Sequence, residues 1–142
     1  MKITEKEKKP SYLEYLPIWD RSLHYEPHTP LKKVLQPGSL ANLAKPHLLG
    51  AGIKINHLSP KFGSIIEGDQ LSSLADEGKN ELALSTAQRD VLVFRDQHLA
   101  KLGPQEVIDY GKYVGPLHIH PATGHPKGFS ELHVVHRGPE EA

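Results

Sequence analysis

Apolar positions change their spacing near residue 60, and the change divides the chain into two textures. Residues 1–60 hold seven of the twelve prolines, Pro10, Pro17, Pro27, Pro30 and Pro37 among them, and their apolar residues follow no period. Each proline lacks a backbone N–H and keeps its predecessor out of the helical region, so regular elements cannot run far there. Residues 1–57 read as a Pro-rich extended arm that wraps a neighbouring surface, pinned by Tyr12, Tyr15, Leu16 and Trp19. A partly disordered tail fits the same composition.

Residues 58–142 read as the globular part. Gly63-Ser64-Ile65-Ile66-Glu67-Gly68 is a short apolar run broken by glycine at both ends, which predicts a strand over 63–67. Asp76 is expected to cap a helix over 77–89, where Leu82, Ala83 and Ala87 make an apolar stripe at helical spacing. Val91-Leu92-Val93-Phe94 is an unbroken β-branched and aromatic run, the pattern of a strand over 91–95 buried on both faces with Val93 and Phe94 in the core. Pro104 suits the first turn of a helix over 104–114, because its φ is already set and its missing N–H would have had no partner. Val107, Ile108, Tyr110, Gly111 and Val114 form one face of that helix, which stops at Gly115. Leu132 to His136 predicts a last strand over 131–136, and no internal repeat is present. The fold class is α/β.

At 142 residues the chain suits one domain. Lys plus Arg and Asp plus Glu number 17 each, so no summed field draws in nucleic acid or an anionic membrane, and neither is expected as a partner. The absence of cysteine excludes disulfides, thiolate zinc sites and a cysteine nucleophile. No apolar run is long enough to cross a bilayer, and Met1 to Pro10 is rich in Lys and Glu, so the chain is expected to be soluble and cytoplasmic.

Five of the ten histidines lie from Gly115 onward, where the chain reads Gly-Pro-Leu-His-Ile-His-Pro. Residues two apart on an extended chain share a face, so His118 and His120 can aim both imidazoles into one pocket. The alternative is one hydrogen-bonded histidine in a pocket wall and one that merely packs. His24-Tyr25-Glu26 has a spacing that can ligate iron but irregular flanks, so chance explains it better. There is no Gly-rich phosphate loop, nucleophile elbow or His-Glu-x-x-His, and no carboxylate pair beside the histidines.

Phe62-Gly63-Ser64, Val93-Phe94-Arg95-Asp96-Gln97, Gly115 to Pro121 and Glu131 to Val135, in that order and spacing, resemble the amino-terminal portion of the TauD/TfdA family of Fe(II)/2-oxoglutarate-dependent dioxygenases. The taurine and alkylsulfonate dioxygenases are the most similar branch. The resemblance runs from about residue 58 to the end, with a looser match at Tyr15 to Asp20. Its most specific part is Phe-Arg-Asp-Gln joined to Leu-His-Ile-His-Pro downstream of a helix.

The resemblance implies an amino-terminal fragment of a double-stranded β-helix (jelly-roll, clavaminate synthase-like) dioxygenase fold. It implies Fe(II) and 2-oxoglutarate as cofactors and an alkylsulfonate substrate, cleaved to sulfite and an aldehyde with succinate and carbon dioxide as co-products. His120 matches the family's sulfonate-binding histidine. Taurine-selective members carry a substrate-contacting Tyr where this chain has Thr123, which favours another alkylsulfonate. The His-x-Asp iron motif, the distal iron His, the co-substrate Thr and the 2-oxoglutarate-clamping Arg are expected beyond Ala142. His118, His125, His133 and His136 do not match these ligands, so no catalytic or metal residue is assigned and the 142 residues are expected to be inactive alone. The alternatives are a non-catalytic remnant or partner-binding module docking on an intact homologue, and a His-rich metal module built on His118, His120 and His125. A homo-oligomer or a full-length homologous subunit are the protein partners these readings imply.

Overall fold

The computed structural model describes Pro17, Ile18, Ser22, His24, Tyr25 and residues 36–135, and the chain divides into two units, residues 1–30 with 116–142 and residues 31–115. The second unit holds β1 (Lys54–His57), β2 (Ser64–Glu67), α1 (Asp76–Arg89), β3 (Leu92–Phe94) and α2 (Pro104–Val114), with short 3-10 turns at Pro37–Leu40, Leu71–Ser73 and Leu99–Lys101.

β2 is the middle strand of a three-stranded sheet ordered β1-β2-β3. Its Ser64 and Ile66 are buried, and Ile66 faces Ile55 on antiparallel β1 and Phe94 on parallel β3. Parallel neighbours need a crossover, and α1 supplies it between β2 and β3. Leu48, Leu74 and Ile108 complete the buried apolar set among the described residues of this unit. Gly63 opens β2 with φ of 74°, a left-handed conformation that glycine adopts without a Cβ clash.

Arg89 fixes that opening to the end of α1. Its guanidinium donates to Ser64 Oγ at 3.0 Å and to the carbonyls of Pro60, Ser59 and Gly63 at 2.8, 2.7 and 2.8 Å. A planar fork with five donors fits such a ring of acceptors. A second clamp joins the ends of β2 and β3. Gln97 donates to the carbonyls of Asp69 and Arg95 and accepts the Leu71 N–H, while Gln70 donates to the Asp96 carbonyl and accepts the His98 N–H.

The predicted strand at 63–67 and the helices at 77–89 and 104–114 occur within a residue at each end, and β3 within the predicted 91–95. Five expectations need correction. Residues 54–57, read as arm, form β1; its four residues are all exposed, so no apolar alternation marked them. Asp76 is the first helical residue and Ala75 the cap, with the Asp76 carboxylate 3.1 Å from Lys79 in the first turn, where negative charge suits the helix dipole.

The buried face of α1 is Gly78, Glu81 and Ser85, while Leu82 and Ala83 are half-buried and Ala87 exposed. Glu81 takes the central position because its carboxylate satisfies backbone donors: Oε2 accepts the N–H groups of His47 and Leu48, both at 2.8 Å, and Oε1 accepts His47 Nδ1–H at 3.0 Å. Val93 and Phe94 are half-buried, because among the described residues β3 is an edge strand paired only with β2. Finally, residues 131–135 form no strand. The arm's pins Tyr12, Tyr15, Leu16 and Trp19 lie outside the described residues, as does His136.

Candidate substrate-contacting site

α2 begins as its sequence requires, with Pro104 in the first turn and Glu106 reaching back to accept the Gly103 N–H at 2.9 Å. Beyond Gly115 the chain belongs to the other unit, and from Pro116 to His120 exposure alternates. Leu117 and Ile119 are half-buried, and Pro116, His118 and His120 are exposed. The period of two therefore places the two imidazoles on one side, with ring centroids 6.4 Å apart in an edge-to-face arrangement.

His120 makes two further contacts. Its Nδ1 accepts the Ala122 N–H at 3.2 Å, and its ring stacks on His133 with centroids 5.5 Å apart and planes 29° from parallel. A backbone N–H can only donate, so Nδ1 holds a lone pair and the neutral ring carries its proton on Nε2. The Nε2 of His120 is thus an N–H donor without the ring being cationic. Thr123, half-buried, follows three residues later.

His125 stands apart from this row. It is buried, and its Nδ1–H donates to the Pro126 carbonyl at 3.0 Å, which leaves Nε2 to accept the Tyr25 hydroxyl at 3.2 Å. Its backbone exchanges two hydrogen bonds with Ile18, at 2.9 and 3.3 Å. Gly124 permits this approach, since a Cβ there would lie 2.6 Å from Pro17 Cβ. On the other side Val134 N–H donates to the Gly124 carbonyl at 3.4 Å, which holds the segment that carries His133. His125 is a structural histidine, which removes it from the metal module considered from sequence.

Among the described residues no three His, Asp or Glu side chains are grouped so as to hold a metal ion. His24 is exposed, and Glu26 of the His-x-Glu spacing lies outside the described residues. The side chains of the described residues therefore do not fit an iron centre.

The unit of residues 31–115 has its own concavity, about 970 Å³, lined by Leu82, Ala83, Ala87, Phe94, Tyr110 and Val114 among others. Tyr110 Oη is buried there with no hydrogen-bond partner among the described residues, and burial raises its pKa above the ordinary tyrosine value. Tyr113, whose pKa is raised by burial first and by the Asp76 carboxylate second, donates its hydroxyl to Asn80 Oδ1 at 2.9 Å.

The sequence model of the taurine catabolism dioxygenase TauD, TfdA family matches residues 54–142, starting at the first residue of β1. The chain belongs to this family. An alpha-ketoglutarate-dependent sulfonate dioxygenase of Saccharomyces cerevisiae is 41% identical over 138 residues, covering 93% of this chain and 33% of the yeast protein. An alpha-ketoglutarate-dependent dioxygenase of Penicillium expansum is 39% identical over 134 residues, covering 89% of this chain and 34% of the fungal protein. A putative alpha-ketoglutarate-dependent sulfonate dioxygenase of Schizosaccharomyces pombe is 37% identical over 101 residues, 70% of this chain and 25% of its own length. The chain thus spans about a third or less of the length of these TauD/TfdA relatives. A small mixed sheet with two helices is compatible with a portion of the jelly-roll dioxygenase fold of the family.

Among the described residues no helix is long and apolar enough to cross a membrane. The partner of His120 that sequence reasoning missed is His133. The two are thirteen positions apart, and nothing local in either stretch announces the pairing.

Proposed function

We propose that this chain forms the sulfonate-facing portion of an Fe(II)/2-oxoglutarate-dependent alkylsulfonate dioxygenase, with His120 donating its Nε2–H to a sulfonate oxygen and Thr123 lining the same end of the substrate. The observation that carries this reading is the bond from Ala122 N–H to His120 Nδ1, which leaves the other ring nitrogen of this exposed residue as a donor. A sulfonate presents three acceptor oxygens and no donor, so a fixed N–H is the complementary group. The net reaction of the whole enzyme is alkylsulfonate, 2-oxoglutarate and dioxygen to aldehyde, bisulfite, succinate and carbon dioxide. One oxygen atom goes to succinate and the other to the carbon that bore the sulfonate. Iron and 2-oxoglutarate supply the oxidising chemistry. The contribution of this chain's own residues is recognition and orientation.

We also propose that the 142 residues do not turn over sulfonate by themselves, because no three-ligand set is grouped among the described residues. The test joins residues 1–142 to the remaining length of the yeast relative and measures sulfite release with ethanesulfonate and longer homologues. The chimera is expected to release sulfite while the 142-residue chain alone does not. His120→Ala in the chimera is expected to lower kcat/KM about tenfold or more, the scale of one hydrogen bond to a charged group. Unchanged kcat/KM in His120→Ala, or turnover by the short chain, would overturn the proposal.

A further inference from the structure

We propose that His133 is a positioning residue for His120, the face against which His120 is held so that Nε2–H keeps one direction. The inference rests on the sulfonate reading of His120 given above and extends it to a side chain that the sequence motif does not contain. The hydrogen bond from Ala122 is a single point of attachment, and an imidazole held at one nitrogen still tilts about it. A second ring lying against its face removes the tilt. His133 does so at 5.5 Å and 29°, within the range in which stacked rings attract one another. His118 meets His120 by an edge at 6.4 Å and 70°, which bounds the ring along a line and leaves its plane less constrained.

Both constraints come from one scaffold. Ala122, the donor to Nδ1, lies in the stretch whose Gly124 carbonyl accepts Val134 N–H, and Val134 directly follows His133. That stretch is anchored in turn by the Ile18–His125 pair and by the Tyr25–His125 bond. His120 and His133 are both exposed, so their stacking fills no core, and packing alone gives no reason to place two imidazoles face to face. The arrangement does suit a donor whose direction matters.

The test uses the 142-residue chain labelled with ¹⁵N-histidine. A long-range ¹H–¹⁵N spectrum reports the tautomer of each ring, and titration with ethanesulfonate reports binding at His120. The intact chain is expected to show His120 in the single Nε2–H form. His133→Ala is expected to give averaged His120 ring shifts and about three- to tenfold weaker ethanesulfonate binding, the scale of one stacked pair. His133→Phe keeps a flat face and should restore both the tautomer and the affinity. A merely structural role would lower stability in His133→Ala and leave the His120 tautomer unmoved. An unchanged His120 ring spectrum in His133→Ala overturns the inference whatever happens to affinity. If the ring spectrum changes but ethanesulfonate binds no differently to His120→Ala, or does not bind the intact chain, positioning stands and the sulfonate reading is what fails.

Discussion

Glu81 offers the sharpest test of how this chain is held together. Its side chain is fully buried, yet it serves two backbone N–H groups and the His47 ring. Glu81→Ala leaves both amides without an acceptor, and Leu48 is itself fully buried, so its amide cannot turn to water. Each stranded donor costs about 1–3 kcal/mol, which puts the pair at about 2–6 kcal/mol before any cavity term is added. Glu81→Gln keeps the shape and one carbonyl oxygen. That oxygen can still take both amides, which now share Oε2, and His47 can switch tautomer to accept from the new NH₂. Its cost is the loss of charge assistance, about 1 kcal/mol. Glu81→Leu makes the helix face apolar, as the periodicity would prefer, but strands the same two amides and should resemble Glu81→Ala. Urea unfolding at constant m gives the order directly, intact chain above Gln and Gln above Leu and Ala. A Leu variant as stable as the intact chain would refute the reasoning, because burial alone would then have explained the position.

Three further outcomes follow from the same structure. Arg89→Lys replaces a planar fork on four acceptors with a point charge, and should cost about 1.5–3 kcal/mol, the worth of one lost hydrogen bond from a charged donor, with faster amide exchange at Gly63 and Ser64; an unchanged thermal midpoint would count against the clamp. Tyr110→Phe removes a buried hydroxyl without a partner among the described residues and should raise stability by about 1 kcal/mol. Because burial raises the Tyr110 pKa, the folded state keeps its advantage below the ordinary tyrosine value and loses it as pH rises through the folded value; that alkaline loss should shrink in the Phe variant, and identical profiles would count against it. Gly124→Ala drives a Cβ to 2.6 Å from Pro17 and 3.2 Å from the Ile18 carbonyl, so overpacking of about 1–3 kcal/mol should open the Ile18–His125 pair, read as faster exchange of the Ile18 amide.

What was legible in the sequence follows from where local chemistry decides structure. Pro104 and Gly115 bracket α2, and glycines bracket β2, because proline and glycine act on the backbone wherever they stand. β1 was not legible: an exposed edge strand needs no apolar alternation, and its existence depends on β2 lying beside it. The α1 stripe failed for the opposite reason, since Glu81 is buried by donors that come from residues 47 and 48, more than thirty positions away. The last strand failed because, among the described residues, Leu132 N–H turns back to the Phe129 carbonyl at 3.2 Å and Val134 N–H reaches the Gly124 carbonyl at 3.4 Å, a turn and one cross-contact in place of a ladder.

The same division applies to the stretches that carried the resemblance. In Phe94-Arg95-Asp96-Gln97 the glutamine joins the ends of two strands, so likeness there speaks for the fold and is silent on the substrate. The substrate reading proposed above rests on Leu117 to Pro121, where His118 and His120 share one side and are both exposed. The Ala122 amide occupies Nδ1, so on the proposed function the group that His120 offers to a sulfonate oxygen is a directed Nε2–H. A directed donor is only as selective as its orientation is fixed, and in the arrangement proposed above the face of His133 is what fixes it.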